Sequence, residues 1–292
     1  MARARARARI GDAIPVEEVV RRVVASRRYG SVDAALIRRL ALNEIPKARN
    51  LADAEKRTKR RLHQIFGAYC AGTTSAGGRR GDDVARFQTV SADLADPGLR
   101  ALCRDLLGRH ASSRERVDVL DRFYTRIFAV SGLPSTVVDL GCGLNPLALP
   151  WMGLPAGARY LAYDIDKEQM ALVDTFLTHV GVEHVAEVRD VLANPPAEPA
   201  DAAFLLKTLP CLEHQEAGAG ARLLRAVEAR HVVVSYPTRS LGGRVNKGMA
   251  RTYRDQLHAI IAGESWTVQE IEFENELVFI IEKGFHDAEL AG

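Results

Sequence analysis

The 292-residue sequence has no run of about 18 consecutive apolar residues, so no helical membrane span is expected. Its four cysteines (Cys70, Cys103, Cys142 and Cys211) form no C-x-x-C pair. That spacing indicates neither a zinc site nor a disulfide framework, and a reducing cytoplasm is the expected home. The opening MARARARARI is basic but leads into no apolar segment, so it reads as a tail or a misplaced start rather than a secretory signal. No internal repeat is visible. Hydrophobic content of 47% and charged content of 26% are ordinary for a soluble globular protein, and the length suffices for two domains.

Charge is nearly balanced overall, at +3, but not along the chain. Residues 1–100 carry 21 Lys+Arg against 11 Asp+Glu, which leaves 19 basic and 26 acidic residues for the remainder. A basic front on an acidic back suggests that one part docks a polyanion and the other does chemistry. The first hundred residues read as helices. Val16, Val19, Val20, Val23 and Val24 share one helical face, and Leu36, Ile37 and Leu40 point inward from a second helix over Ser31–Leu42. A third is expected from Pro46 to Tyr69, with Leu51, Leu62, Ile65, Phe66 and Tyr69 as its apolar stripe. Its outer face carries Lys56, Arg57, Lys59, Arg60 and Arg61, which few local acids can pair and which therefore suit phosphate binding. The Gly/Ser/Thr-rich stretch 71–83 marks a loop whose Arg79 and Arg80 would add a second RNA contact. Ser112 and Glu115 have capping-box spacing, which predicts a helix from about Ser113 with Val117, Leu120, Tyr124 and Ile127 buried.

From Pro134 the pattern alternates between strands and helices. Strands are expected at Thr136–Leu140, Tyr160–Tyr163, Val185–Arg189, Ala202–Leu206 and His231–Tyr236, followed by a hairpin over Thr267–Phe273 and Leu277–Glu282. Helices are expected over Lys167–Val180, Ala217–Ala229 and Met249–Ile261. This describes an α/β, Rossmann-like sheet of seven strands behind an all-α front domain, with domains at 1–105 and 106–292.

The richest stretch is TVVDLGCGLNP, a strand running into the turn Gly141-Cys142-Gly143. Glycines let the backbone approach a ligand, while carboxylates at later strand ends, Asp164 and Asp190, suit a ribose and an adenine amino group. The third glycine of a dinucleotide fingerprint is absent, so a cofactor without phosphate, S-adenosyl-L-methionine, fits better. Asp166 reads as a helix cap. Arg116 or Arg114 could pair with the cofactor's carboxylate. Lys207 lies where cofactor and substrate should meet, and Arg239, Arg244 and Lys247 line a glycine-bearing loop on the same edge. Two other signals compete. Asn194-Pro195-Pro196 precedes strand 4 and lacks a following aromatic, so it reads as a loop rather than an amine-methylating site. Pro210-Cys211 follows strand 4, where pyrimidine carbon-5 methyltransferases place a nucleophile.

With HASSRER, VVDLGCGLNPLALP, YLAYDID, LLKTLPCLE and SYPTRSLGGR in order, the chain resembles the aminoglycoside-resistance 16S rRNA (guanine-N7)-methyltransferases. The resemblance spans nearly the whole chain. It implies a class I S-adenosylmethionine-dependent fold and methylation of a decoding A-site guanine within the 30S subunit, with S-adenosyl-L-homocysteine as product. It also implies that Arg116, Gly141, Gly143, Asp164 and Asp190 hold the cofactor, that Lys207 and Arg244 act near the target, and that the front domain grips rRNA. A monomer is expected. The Ser112-Ser113 pair departs from the Ser-Thr expected in such a family. Three rival readings stay open: a cytosine carbon-5 enzyme needing Cys211, a small-molecule methyltransferase whose activity should survive deletion of residues 1–100, and a non-catalytic RNA-binding module that retains cofactor and protects rRNA in footprints yet transfers no methyl.

Overall fold

The computed structural model describes residues 14–70, 77–238 and 247–283, with backbone only for 66–70, 77–81 and 247. The front helices are α1 (Val16–Val24), α2 (Ala34–Glu44) and α3 (Leu51–Cys70). Val19, Val23, Leu36, Ile37, Leu40 and Leu62 form their shared core, as the apolar spacing predicts. Phe66 and Tyr69, expected on the same stripe, lie outside the described side chains. Two helix starts differ from expectation. Asp33 caps α2 by accepting from Ala35 N, which frees Ser31 to donate to Asp166 Oδ2 at 3.2 Å. Pro46 sits in a single 3-10 turn, Ile45–Lys47, and α3 begins only after Asn50, whose Oδ1 accepts from Asp53 N at 2.9 Å.

Next come α4 (Gly77–Phe87) and α5 (Pro97–Arg109), the latter capped by Asp96. Leu99, Leu102, Leu106 and Phe87 pack with the sheet rather than with α1–α3. The expected boundary at 105 therefore cuts through a helix that belongs to the sheet's core. The capping box predicted at Ser112 does not form. The chain makes one turn, α6 (Ala111–Arg114), then a 3-10 turn, and only then α7 (Leu120–Ser131), ending at Gly132 with φ +76°. Leu120, Tyr124 and Ile127 are buried on α7 as expected, whereas Val117 is only partly so.

The sheet follows the predicted scheme. Its strands are β1 (Thr136–Leu140), β2 (Arg159–Asp164), β3 (Glu183–Val188), β4 (Ala200–Leu206), β5 (Ala229–Pro237), β6 (Thr267–Glu272) and β7 (Glu276–Glu282). Their order is β3-β2-β1-β4-β5-β7-β6, with β1–β5 parallel and the last pair an antiparallel hairpin. The continuous apolar runs of β4 and β5 reflect burial on both faces. Helix α8 (Lys167–His179) is capped by Asp166, which accepts from Glu168 N and Gln169 N, as predicted. Two crossovers were not foreseen. Between β1 and β2 the chain takes a 3-10 turn, Asn145–Trp151, because Pro146 and Pro150 cannot supply helical N–H donors. After β4 an unforeseen short helix, α9 (Leu209–Gln215), comes first, and the helix expected over Ala217–Ala229 starts only after Gly218 at φ +79°, as α10 (Ala219–Ala226). Helix α11 (Lys247–Ile260) precedes the hairpin. Asn194-Pro195-Pro196 is a loop ahead of β4. Among the described residues no helix is long and apolar enough to cross a membrane.

Candidate cofactor cleft and active site

The carboxyl ends of β1, β2 and β4 open into a cleft of about 860 Å³, measured with its open mouth. Gly141 and Gly143 form its floor at φ +67° and +53°. A Cβ on Gly141 would stand 2.9 Å from Thr208 Cγ2, and one on Gly143 3.1 Å from His110 Cε1. Space and backbone conformation both demand glycine at these two positions. Asp164, ending β2, is fixed from three sides: Oδ2 accepts from Gly143 N at 2.9 Å, and Oδ1 from Ile165 N and Asp166 N. Burial pushes its carboxyl above the usual range, against the pull of the Gly143 N–H. Asp190 also lines the cleft; its Oδ1 accepts from Leu192 N at 3.2 Å.

The opposite wall is apolar and comes from the front helices. Val32, Leu36 and Ile65 face the cleft alongside Ile165, Val191 and Leu212. Gln169 lines the same space with a buried Oε1 that has no hydrogen-bond partner. Acceptors on one side and a flat apolar slot on the other fit the adenosine of the S-adenosylmethionine expected from sequence. Its ribose hydroxyls and adenine amine are donors, and its ring is a π-face.

Two expected contacts are placed differently. Arg116 does not line the cleft. Its Nη2 donates to Glu276 Oε1 at 2.6 Å and its Nη1 to Asn145 Oδ1 at 2.7 Å, with the guanidinium 4.5 Å from the Phe123 ring centroid. It is therefore turned toward the interior rather than presented to a cofactor carboxylate. Lys207 does line the cleft, at φ +62°, a strain of about 1–3 kcal/mol for a residue with a side chain. Its ammonium is not offered to phosphate. Nζ donates to Ser112 O at 2.9 Å and Glu115 Oε2 at 2.7 Å, and lies 3.4 Å from Glu276 Oε2. Glu115, read from sequence as half of a capping box, is instead the lysine's counter-ion. Ser112, the other half, meets His110 Nδ1 at 2.8 Å.

Behind the cleft, Asn145 donates to Asp139 Oδ2 at 2.8 Å, and Tyr160 OH does so at 2.7 Å. Burial pushes the Asp139 carboxyl up to about 6. The folded state thus prefers the protonated acid. This preference is fully present below the unfolded carboxyl's value and disappears as pH rises through about 6, above which the buried charge destabilises the fold. Asp139→Asn should therefore stabilise the protein at pH 8 by about 2–3 kcal/mol relative to its effect at pH 4. Denaturant melts of both proteins at the two pH values measure this, and a pH-independent difference would contradict it.

The basic face of α3 is less free than its sequence suggests. Arg57 pairs with Asp53 at 3.3 Å and with Glu44 at 3.8 Å, and Lys59 pairs with Glu55 at 2.7 Å. Arg61 points inward, its Nη2 donating to Gln215 O at 2.8 Å. Lys56 and Arg60 are exposed and make no ion pair among the described residues. The helical i,i+4 spacing that creates the basic run also places Asp53 and Glu55 beneath it. Arg79 and Arg80 lie on α4 and Lys247 on α11 with side chains outside the described set; Arg239 and Arg244 lie outside the described residues altogether. Sequence reading missed His110, Glu276, Gln215, Arg39 and the apolar wall of the cleft. Each meets the site across many residues of chain, and none carries a local signal.

Comparison with known proteins agrees with this geometry. The chain is 44% identical over 271 residues to the 16S rRNA (guanine(1405)-N(7))-methyltransferase of Frankia casuarinae, covering 92% of this chain and 94% of that one. It is 40% identical to the enzyme of the same name from Micromonospora echinospora, covering 92% and 97%. Among solved structures it is similar to the 16S rRNA methyltransferase RmtF in complex with S-adenosyl-L-homocysteine. That match has a TM-score of 0.77 at 32% identity and covers 92% of this chain and 98% of that one. Residues 25–280 match the family described as Ribosomal RNA methyltransferase (FmrO), and the chain belongs to that family.

Proposed function

We propose that this enzyme methylates ring nitrogen 7 of a guanine in the decoding A site of 16S rRNA, within the cytoplasmic 30S subunit, and so confers aminoglycoside resistance. The observation that carries the reading is one cleft with two faces of function. Acceptors at the ends of β2 and β3 suit an adenosine, and the helices that wall it present Lys56 and Arg60 outward to a polyanion. S-adenosylmethionine, when bound, supplies an electrophilic methyl group. Asp164 and Asp190 would receive the ribose and adenine donors, and Gly141 and Gly143 would admit the methionine portion against the backbone. Lys207, held by Glu115 and Glu276, would stiffen the β4 exit beside which the target must lie. Arg116 would act through the same buried pairs. Arg239, Arg244, Lys247, Arg79 and Arg80 are proposed as further rRNA contacts, and the protein as a monomer.

Guanine nitrogen 7 offers a lone pair and carries no proton, so no residue has to act as a general base. Orientation of the base in line with the methyl group suffices. The few kcal/mol needed to unstack the guanine would come from backbone contacts along the front helices. Tritiated methyl transfer to 30S subunits, with borohydride and aniline cleavage, tests the reading: it expects one strand break, at a decoding-site guanine. Cys211 lines the cleft, its Sγ 3.7 Å from the Lys207 carbonyl oxygen, which keeps the carbon-5 chemistry a concrete rival. Cys211→Ala should keep at least half of the methyl transfer. Abolished transfer, or label without a break, would move the assignment to a cytosine.

A further inference from the structure

Arg39 sits on α2, 151 residues before Asp190 in sequence, yet its Nε donates to Asp190 Oδ2 at 2.8 Å. Its Nη2 donates to Gln215 Oε1 at 2.7 Å. Gln215, the last residue of α9, is also gripped through its carbonyl by Arg61 of α3. Asp190 and Gln215 both line the cofactor cleft, as do front-helix residues Leu36 and Ile65. The Asp190 side chain is only 8% exposed. A carboxylate so shielded from water is costly to bury unless it is paired, and a fixed partner also sets its orientation. The Arg39 fork supplies that partner and, by holding Gln215 as well, fixes its own angle. Asp190 retains lone pairs for a further donor, since a carboxylate offers about four acceptor positions.

We propose that Arg39 is a positioning residue of the cofactor site. It holds the Asp190 carboxylate in position as an acceptor and thereby makes cofactor binding conditional on the front helices being docked against the sheet. The inference rests on reading the cleft as the cofactor site. Helix α3 gives it a functional consequence. One edge carries the exposed Lys56 and Arg60, and the other carries Arg61 and Ile65 against the cleft. RNA bound on the outer edge would favour the docked state and tighten cofactor binding. The converse must hold by the same factor.

The test is titration calorimetry of S-adenosylhomocysteine into the full-length protein without RNA, for wild type, Arg39→Met, Arg39→Lys and Asp190→Asn. Arg39→Met keeps the packing stem and removes the charge, and should bind about tenfold more weakly. Arg39→Lys should recover part of the loss, because an ammonium can pair with Asp190 but cannot fork to Gln215 as well. With 30S subunits, the Arg39→Met defect should appear in KM for S-adenosylmethionine and shrink as the cofactor is raised. A purely structural arginine would lower the melting temperature of the ligand-free protein and leave the affinity of the folded fraction unchanged. Wild-type affinity in Arg39→Met, beside weakened Asp190→Asn, overturns the proposal and leaves the cleft reading intact. Should Arg39→Met fail to fold, Arg39→Lys decides alone, and wild-type KM and affinity there overturn the proposal. Absent binding by wild type would overturn the cleft reading itself.

Discussion

Glu276→Ala should lower the melting temperature by about 10 °C and remove nearly all methyl transfer. The carboxylate opens β7, is 1% exposed, and is shared between Arg116 and Lys207. Burial opposes its charge, but the two cations prevail and hold it below the usual carboxylate range. Its contribution is therefore present above the ordinary carboxyl value and is lost as pH falls through the lowered one. Removing it leaves Arg116 without a carboxylate and Lys207 with only Glu115. Breaking a buried pair by deleting one partner costs about 3–5 kcal/mol, because the remaining charge is desolvated. In a chain of this size each kcal/mol moves the midpoint by about 2–4 °C. Glu276→Gln keeps the shape and should restore part of the stability but little activity, since the Lys207 ammonium then loses one of its anchors. Glu115→Ala should cost less, because Glu115 is 23% exposed and water can replace it. Thermal melts and methyl transfer on 30S subunits read both effects. A Glu276→Ala protein melting within about 2 °C of wild type would show that the pair carries no net stability.

Deleting the front helices should abolish cofactor binding, and not only RNA binding. A chain beginning at residue 77 keeps α5, whose Leu99, Leu102 and Leu106 belong to the sheet's core, but loses Val32, Leu36, Ile65 and Arg39. Each apolar side chain lost from a buried contact forfeits about 1.5–3 kcal/mol, so three of them imply an affinity loss above roughly a hundredfold. Circular dichroism would establish that the sheet is retained, and calorimetry with S-adenosylhomocysteine would give the affinity. Binding at wild-type strength would mean that the front helices do not wall the site. The structure thus removes deletion of residues 1–100 as a way to separate an rRNA enzyme from a small-molecule one. Both would lose the cofactor pocket, and the cut would also remove Phe87 and Leu99 from the core of the remaining domain.

The basic run on α3 shows where sequence reading reaches its limit. Five cations in six residues are plain in the sequence, and so is Asp53 one turn away. Which cation faces solvent depends on how α3 packs: Arg61 is drawn to Gln215, 154 residues later, while Lys56 and Arg60 remain outside. The capping box at Ser112 failed for a related reason. Its local geometry is sound, but His110 and Lys207 compete for Ser112 and Glu115, and a buried ammonium outbids a backbone N–H for a carboxylate.

Local regularities determined the elements. Alternating strands and helices, the G-x-G turn, the Asp166 cap and the short connection of the closing hairpin depend on residues close in sequence, and the seven-stranded sheet follows from them. The tertiary structure alone decided the partners. Glu276 joins Arg116 across 160 residues and Arg39 joins Asp190 across 151. The physical reason is that desolvated charges must find counter-charges wherever the strand ends converge, and periodicity along the chain holds no record of that convergence.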